Sequence, residues 1–61
     1  MPVVQVHIKT GRTLEQKREI TKRITAVLVD VCGSAEERVN VIIDEVPEEN
    51  WGRGGRLLSD M

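Results

Sequence analysis

The stretch VVQVHI, residues 3–8, decides the fold of this 61-residue chain. Its side chains alternate between two faces and are mostly β-branched, a period-2 pattern that predicts a β-strand. Gly11 then breaks the pattern, and Thr13 followed by Gln16 is the signature of a capped helix start. Gly33 favours the end of that helix. The apolar residues between are spaced as one helical stripe: Leu14, Ile20, Ile24, Val27, Leu28 and Val31.

A second strand is predicted from Val39 to Val46, since Val41-Ile42-Ile43 is a continuous apolar run and Pro47 ends it. Such a run indicates burial on both faces. A strand, a helix and a strand in this order form a right-handed crossover with parallel strands. Residues 1–61 are therefore expected to form a single α/β domain, a β-α-β subunit with one main helix. A short C-terminal ribbon over residues 50–56 completes it.

The size of the chain points to self-association. A domain of this length buries only ~60% of the surface that its unfolded chain exposes, so small folds rely on disulfides, metals or partner subunits. Cys32 is the only cysteine and His7 the only histidine, and we expect neither a disulfide nor a bound metal or cofactor. Two strands do not make a stable isolated sheet, so we expect dimers that extend the sheet and pack face to face.

Charge and hydropathy exclude several classes of partner. The formal net charge is −1, which does not favour nucleic acid or anionic membranes. No apolar run approaches the ~20 residues of a membrane span, and no secretory signal is recognisable at the start. A cytoplasmic protein with an unpaired thiol is the expectation. We expect Cys32 to be inert core, His7 to be a satisfied strand residue, and the helix charges, Lys17 among them, to face outward.

Pro2 is the first candidate for chemistry, because it directly follows Met1. Removal of Met1 would leave a secondary amine at the start of the first strand. Burial and nearby cations both disfavour the protonated form of an amine. Such a nitrogen is therefore a candidate general base near neutral pH.

The order and spacing of these pieces resemble the 4-oxalocrotonate tautomerase family along nearly the whole chain. The matching pieces are Pro2 with the strand behind it, Gly11-Arg12, Glu15-Gln16-Lys17, Val41-Ile42-Ile43-Asp44-Glu45, and Trp51-Gly52-Arg53-Gly54-Gly55. The resemblance implies β-α-β subunits assembled as a hexamer, a trimer of dimers. It also implies a proline amine that moves a proton between carbon and oxygen of an enol or dienol acid, in the catabolism of aromatic compounds.

Residue by residue, the resemblance implies three matches and one mismatch. Pro2 matches the base, Arg12 matches the group that binds a substrate carboxylate, and Trp51 stands where an apolar aromatic wall is expected. The family's arginine on the second strand aligns with Asn40, which brings hydrogen bonds but no charge. Arg38, two residues earlier, would lie on the same strand face ~7 Å away and is one candidate replacement.

The mismatch at Asn40 leaves alternatives open. Arg53 or Arg56 in the ribbon, or a partner subunit, could supply the missing cation, and the oligomer could be homo- or heteromeric. A hydratase or dehalogenase, with a protonated Pro2 amine as acid, is a second hypothesis. A non-catalytic oligomeric subunit is a third.

Overall fold

The structure, a computed structural model, describes residues 2–61 and confirms the β-α-β arrangement with one main helix. Its principal elements are β1 (Val3–Lys9), α1 (Leu14–Cys32) and β2 (Asn40–Val46). A short hairpin of β3 (Gly52–Arg53) and β4 (Arg56–Leu57) forms the predicted C-terminal ribbon. Single-turn 3-10 helices lie at Glu36–Arg38, before β2, and at Glu48–Asn50, before the hairpin, and a third at Leu58–Asp60 follows β4.

The strands β1 and β2 pair in parallel, in a register that runs from Val3 opposite Asn40 to Lys9 opposite Val46. One face of this sheet is half-buried under α1 and carries Val4, Val6, Ile8, Val41 and Ile43. The opposite face is exposed and carries Val3, Gln5, His7, Asn40, Ile42 and Asp44. His7 is satisfied on that exposed face, since its Nδ1 lies 3.0 Å from Oδ2 of Asp44.

The helix begins and ends where its capping residues predict. The Thr13 hydroxyl accepts a hydrogen bond from the Gln16 backbone N–H at 3.1 Å, and the Gln16 side chain accepts one from the Thr13 N–H at 2.9 Å. This reciprocal pair satisfies two donors that a helix start otherwise leaves without partners. Gly33, at φ 68°, adopts the left-handed conformation that ends the helix.

The prediction that the helix charges face outward is wrong for Lys17. Lys17 is half-buried and pairs with Glu45, which occupies a position on the covered face of β2. The hydrogen bond from Lys17 holds the pKa of Glu45 below its ordinary value, assisted by the charge of Lys17 and by the backbone of Gly11. An ion pair therefore lies between helix and sheet, next to the apolar side chains of the covered face.

The predicted apolar stripe is only partly covered, and Cys32 is exposed rather than core. Ile20, Ile24 and Leu28 lie against the sheet, whereas Val31 is 74% exposed and Leu14 and Val27 are also exposed. A sheet of two strands is too narrow to cover the full width of the stripe. The flanks of the helix and its last residue therefore remain open within one subunit.

The single subunit lacks a closed core. None of residues 2–61 is buried, and the accessible surface is 4731 Å², against about 4,000 Å² for a compact protein of this mass. The radius of gyration is 14.5 Å, against about 10.5 Å for a compact chain of this length. The second strand, expected to be buried on both faces, is covered on one face only within the subunit, and Ile42 on its open face is 48% exposed. Over the described part of the chain, no helix is long and apolar enough to cross a membrane.

Candidate active site

Pro2 lies at the amino end of the sheet, held there through its backbone. Its carbonyl accepts a hydrogen bond from the N–H of Asn40 at 3.0 Å, one step beyond the pairing of Val3 with Asn40. The residue is half-buried. The start of β2 therefore orients the backbone of Pro2, which directly precedes β1. Met1, whose removal would expose that nitrogen as an amine, lies outside the described residues.

Arg38 and Asn40 lie beside Pro2 at the same end. The Asn40 side chain donates to the carbonyl of Arg38 at 3.2 Å, which fixes the amide close to the backbone. Arg38 belongs to the 3-10 turn Glu36–Arg38 rather than to a strand. The prediction that strand periodicity places Arg38 on the same face as Asn40 is therefore wrong, because β2 begins only at Asn40. Its guanidinium is without an ion-pair partner among residues 2–61.

Arg12 lies at the opposite, carboxyl end of the sheet. It follows Gly11, whose φ of 129° permits the chain to turn from β1 toward α1. The side chain borders a shallow depression on the first turns of the helix that also includes Glu19 and Arg23. Arg23 Nε lies 2.8 Å from Glu19 Oε1, and this hydrogen bond lowers the pKa of Glu19. Since Glu19 is engaged by Arg23, and no ion pair to Arg12 occurs within residues 2–61, the Arg12 guanidinium is available to an anion.

Trp51 also lies at the carboxyl end, where the 3-10 turn Glu48–Asn50 leads from β2 into the hairpin. Its backbone N–H donates to the carbonyl of Glu48 at 3.3 Å, and its backbone carbonyl accepts a hydrogen bond from the N–H of Leu58 at 2.9 Å. The residue is half-buried. These backbone bonds give the residue a defined position at the base of the hairpin.

The structure therefore brings Pro2, Arg38 and Asn40 together at one end and puts Arg12 and Trp51 at the other. The seven residues of β1 separate the two ends by about 20 Å. A substrate of a few carbon atoms cannot span that distance. Within one subunit, Pro2 cannot act on a molecule that Arg12 of the same subunit holds.

Sequence reasoning missed two side-chain pairs that shape the surroundings of the candidate site. His7 with Asp44 lies across the open face of the sheet, and Lys17 with Glu45 lies across the covered face. The partners are 37 and 28 residues apart in the chain. No local sequence signal gives these pairs: the register of the two strands places His7 directly opposite Asp44, and the position of α1 over the sheet brings Lys17 to Glu45.

Comparison with known proteins gives consistent matches. The family model described as tautomerase enzyme matches residues 2–61. The 2-hydroxymuconate tautomerase of Bacillus subtilis (strain 168) is 38% identical over 61 residues, which cover 100% of this chain and 98% of that protein.

Solved structures agree with the sequence matches. The crystal structure of YwhB, a homologue of 4-oxalocrotonate tautomerase, superposes with a TM-score of 0.94 at 37% identity and covers 98% of both chains. A heterohexamer 4-oxalocrotonate tautomerase from Chloroflexus aurantiacus J-10-fl superposes with a TM-score of 0.91 at 28% identity. That match covers 100% of this chain and 98% of the other.

Proposed function

The chain belongs to the tautomerase family of isomerases, and from this premise we propose that it interconverts the enol and keto forms of a small unsaturated 2-hydroxy or 2-oxo acid. In this proposal, the secondary amine of Pro2, exposed by removal of Met1, is the general base. Arg12 binds a carboxylate of the substrate and Trp51 forms an apolar wall.

The observation that carries the proposal is the hydrogen bond from the Asn40 N–H to the Pro2 carbonyl. It supports the role of Pro2 because a base must be held in one orientation toward the proton that it moves. The strand behind Pro2 contributes the same rigidity. A loop proline would leave the nitrogen free to sample many positions.

The proposed reaction needs a single proton carrier. The unprotonated Pro2 nitrogen takes the proton from the 2-hydroxyl group, the double bonds shift, and the nitrogen returns the proton to carbon. The atoms balance without a co-reactant, since the product is an isomer of the substrate. Arg12 would hold the carboxylate anion, and the indole of Trp51 would exclude water so that these charges interact more strongly.

We infer that the working site forms between subunits. The amino end of one subunit, with Pro2, would meet the carboxyl end of another, with Arg12 and Trp51. The lack of any buried residue among residues 2–61 and the expanded shape of the subunit support this inference. The proposed assembly is the hexamer that the family resemblance implies, homomeric or heteromeric.

Ketonisation of 2-hydroxymuconate or phenylenolpyruvate, followed by absorbance, tests the proposal. Intact mass is measured first, because the amine exists only when one methionine residue has been lost. We expect Pro2→Ala to lower kcat/KM by about 10²–10⁴-fold, the range for loss of a general base. Equal rates for the wild type and Pro2→Ala would exclude Pro2 as the base.

The neutral amide at Asn40 favours a second candidate, hydration or dehalogenation of an unsaturated acid with protonated Pro2 as the acid. The pH dependence separates the two. A base must be unprotonated, so the rate of the tautomerase rises with pH to a plateau. An acid must be protonated, so the rate of the alternative falls as pH rises.

A further inference from the structure

We propose that Lys9 is a positioning residue of the proposed site, and that it acts by neutralising the carboxylate of Glu48 where Pro2 of another subunit would enter. Without Lys9, the lone carboxylate would stabilise the protonated form of the Pro2 amine, which cannot act as a base. This inference rests on the proposed function and deepens it, since it names the residues that regulate the base.

Lys9 and Glu48 form an ion pair at the carboxyl end of the sheet. Lys9 is the last residue of β1, and Glu48 begins the 3-10 turn that follows β2. Lys9 Nζ lies 3.4 Å from Glu48 Oε1. The backbone segments that carry the two side chains are also joined, because the N–H of Thr10 donates to the carbonyl of Val46 at 3.1 Å. The strand ends therefore hold both charges at a defined place in the fold.

The ion pair connects the two segments that carry the proposed binding residues. Arg12 follows Lys9 by three residues, and Trp51 follows Glu48 by three residues. The second connection is closed by a hydrogen bond, since the backbone N–H of Trp51 donates to the carbonyl of Glu48 at 3.3 Å. In the proposed assembly, the Pro2 amine meets Arg12 and Trp51. It would therefore also meet the charges of Lys9 and Glu48.

A contribution to stability does not account for the position of this ion pair. The side chains of Lys9 and Glu48 are 46% and 51% exposed in one subunit. A pair so exposed contributes little to the free energy of unfolding. Closure of the site by another subunit would remove water from both groups, and charges interact more strongly where water is excluded. We therefore expect the pair to act mainly on the protonation of a neighbouring group.

The local charge decides whether an amine at this end of the sheet is protonated. Nearby cations disfavour the ammonium form, and a nearby carboxylate favours it. The other charged groups at this end are Arg12, Glu49, Arg53, Arg56, Asp60 and the ion pairs His7–Asp44, Lys17–Glu45, Glu15–Arg18 and Glu19–Arg23. The end that carries Pro2 has Asp30, Glu36, Glu37 and Arg38. Loss of Lys9 would leave the carboxylates of Glu48 and Glu49 uncompensated in one turn.

The pH dependence of kcat/KM for phenylenolpyruvate tests this role, because it reports ionisation of the free enzyme. For the assembled wild type, we expect kcat/KM to rise with pH to a plateau. Lys9→Met should move the midpoint of that rise upward by about 0.5–1 pH unit, the effect of one charge about 4–6 Å away. Glu48→Gln should move the midpoint downward by a similar amount, since it leaves the cation of Lys9 alone. The double variant Lys9→Met/Glu48→Gln should return close to the wild-type midpoint.

Lys22→Met is the matched control, since it removes the same charge from an exposed position on α1. Its midpoint should equal that of the wild type. Sedimentation velocity establishes that each variant is assembled, and Glu48→Gln tests the pair by itself if Lys9→Met dissociates. Unchanged midpoints in the assembled variants, or shifts of the same sign for Lys9→Met and Glu48→Gln, would overturn the proposal. A raised KM for Lys9→Met at an unchanged midpoint would overturn it too, because Lys9 would then bind the substrate.

The rate of Pro2→Ala separates failure of this role from failure of the proposed function. If Pro2→Ala reacts as fast as the wild type, Pro2 is not the base and the proposed function fails. If Pro2→Ala loses activity while the midpoints of Lys9→Met and Glu48→Gln stay at the wild-type value, only the role of Lys9 fails.

Discussion

The two ends of the parallel sheet differ in how they are built and in what they carry. The amino end is held by a backbone hydrogen bond, from Asn40 to Pro2, and offers a candidate base beside the amide of Asn40 and the guanidinium of Arg38. The carboxyl end is a turn and a hairpin, and it offers arginines and the indole of Trp51. One end has the rigidity that a base requires, and the other has the charge that an anion requires.

The difference teaches that neither end is a complete site. In the proposed site the base Pro2 acts together with Arg12 and Trp51, which the amino end lacks, while the carboxyl end lacks the base. The ends are about 20 Å apart in one subunit, so only assembly can unite them. Self-association would then complete the core and the site in one step.

The largest expected change in activity comes from mixing two inactive variants, one substituted at Pro2 and the other at Arg12, at opposite ends of the sheet. Pro2→Ala is expected to lose about 10²–10⁴-fold in kcat/KM and Arg12→Gln about 10–10²-fold. If a site takes Pro2 from one subunit and Arg12 from another, co-refolding equal amounts should restore roughly a quarter of the wild-type sites. Ketonisation of phenylenolpyruvate before and after co-refolding measures the recovery.

A mixture of Pro2→Ala with the double variant Pro2→Ala/Arg12→Gln is the control, because no site in it has a proline base. Activity of the first mixture no higher than the mean of its parents would mean that the two ends do not share a site.

Ile42→Asp should weaken assembly, so that the amino end of one subunit no longer meets the carboxyl end of another. Ile42 lies on the open face of the sheet, and its burial in an interface contributes about 1.5–3 kcal/mol per subunit. A carboxylate there opposes assembly, so sedimentation velocity should show a shift toward monomer, with activity falling in parallel. Ala26→Asp, at an exposed helix position, should sediment as the wild type does. A fully assembled Ile42→Asp protein would contradict the role of this face.

Asn40→Arg adds a second cation, besides Arg38, at the end of the sheet that carries Pro2. We expect KM for 2-hydroxymuconate to fall by about tenfold, the contribution of one charge-assisted hydrogen bond, and KM for phenylenolpyruvate to change less. Asn40→Gln keeps the amide and serves as the control. An unchanged KM for both substrates in Asn40→Arg would show that position 40 does not contact the acid.

The smallest expected effect is a change in Tm on substitution of Glu45. The ion pair of Glu45 with Lys17 links β2 to α1. Lys17 lowers the folded-state pKa of Glu45. The Glu45–Lys17 pair therefore stabilises the fold fully above the unfolded-state pKa of Glu45, about 4.3, and this stabilisation is lost as pH falls through the folded-state pKa. Glu45→Gln should therefore lower Tm at pH 7, and the difference from the wild type should shrink below about pH 4.

Tm must be compared at one protomer concentration, because assembly makes it concentration-dependent. Glu19→Gln is the matched control, since the Glu19–Arg23 pair is more exposed and should give a smaller difference. A difference at Glu45 that persists at pH 3 would contradict the ion pair as its cause.

Local sequence patterns predicted most of the fold and only part of the candidate site. The caps of α1 at Thr13 and Gly33, and the alternation of β1, are signals carried by neighbouring residues. The exposure of Cys32 and the partial burial of Lys17 depend on how wide the sheet is and where the helix crosses it. The candidate residues themselves could be listed from the sequence, but their division between the two ends could not.

By itself, the sequence determined the order and type of the elements, because period, capping and turn chemistry act within a few residues of the chain. Only the tertiary structure decided which distant residues meet. The pairings of His7 with Asp44, of Pro2 with Asn40 and of Arg53 with Arg56 follow from strand register. Register is chosen by the burial of whole faces rather than by any local signal. The same physical reason puts Pro2 and Arg12 at opposite ends of one subunit.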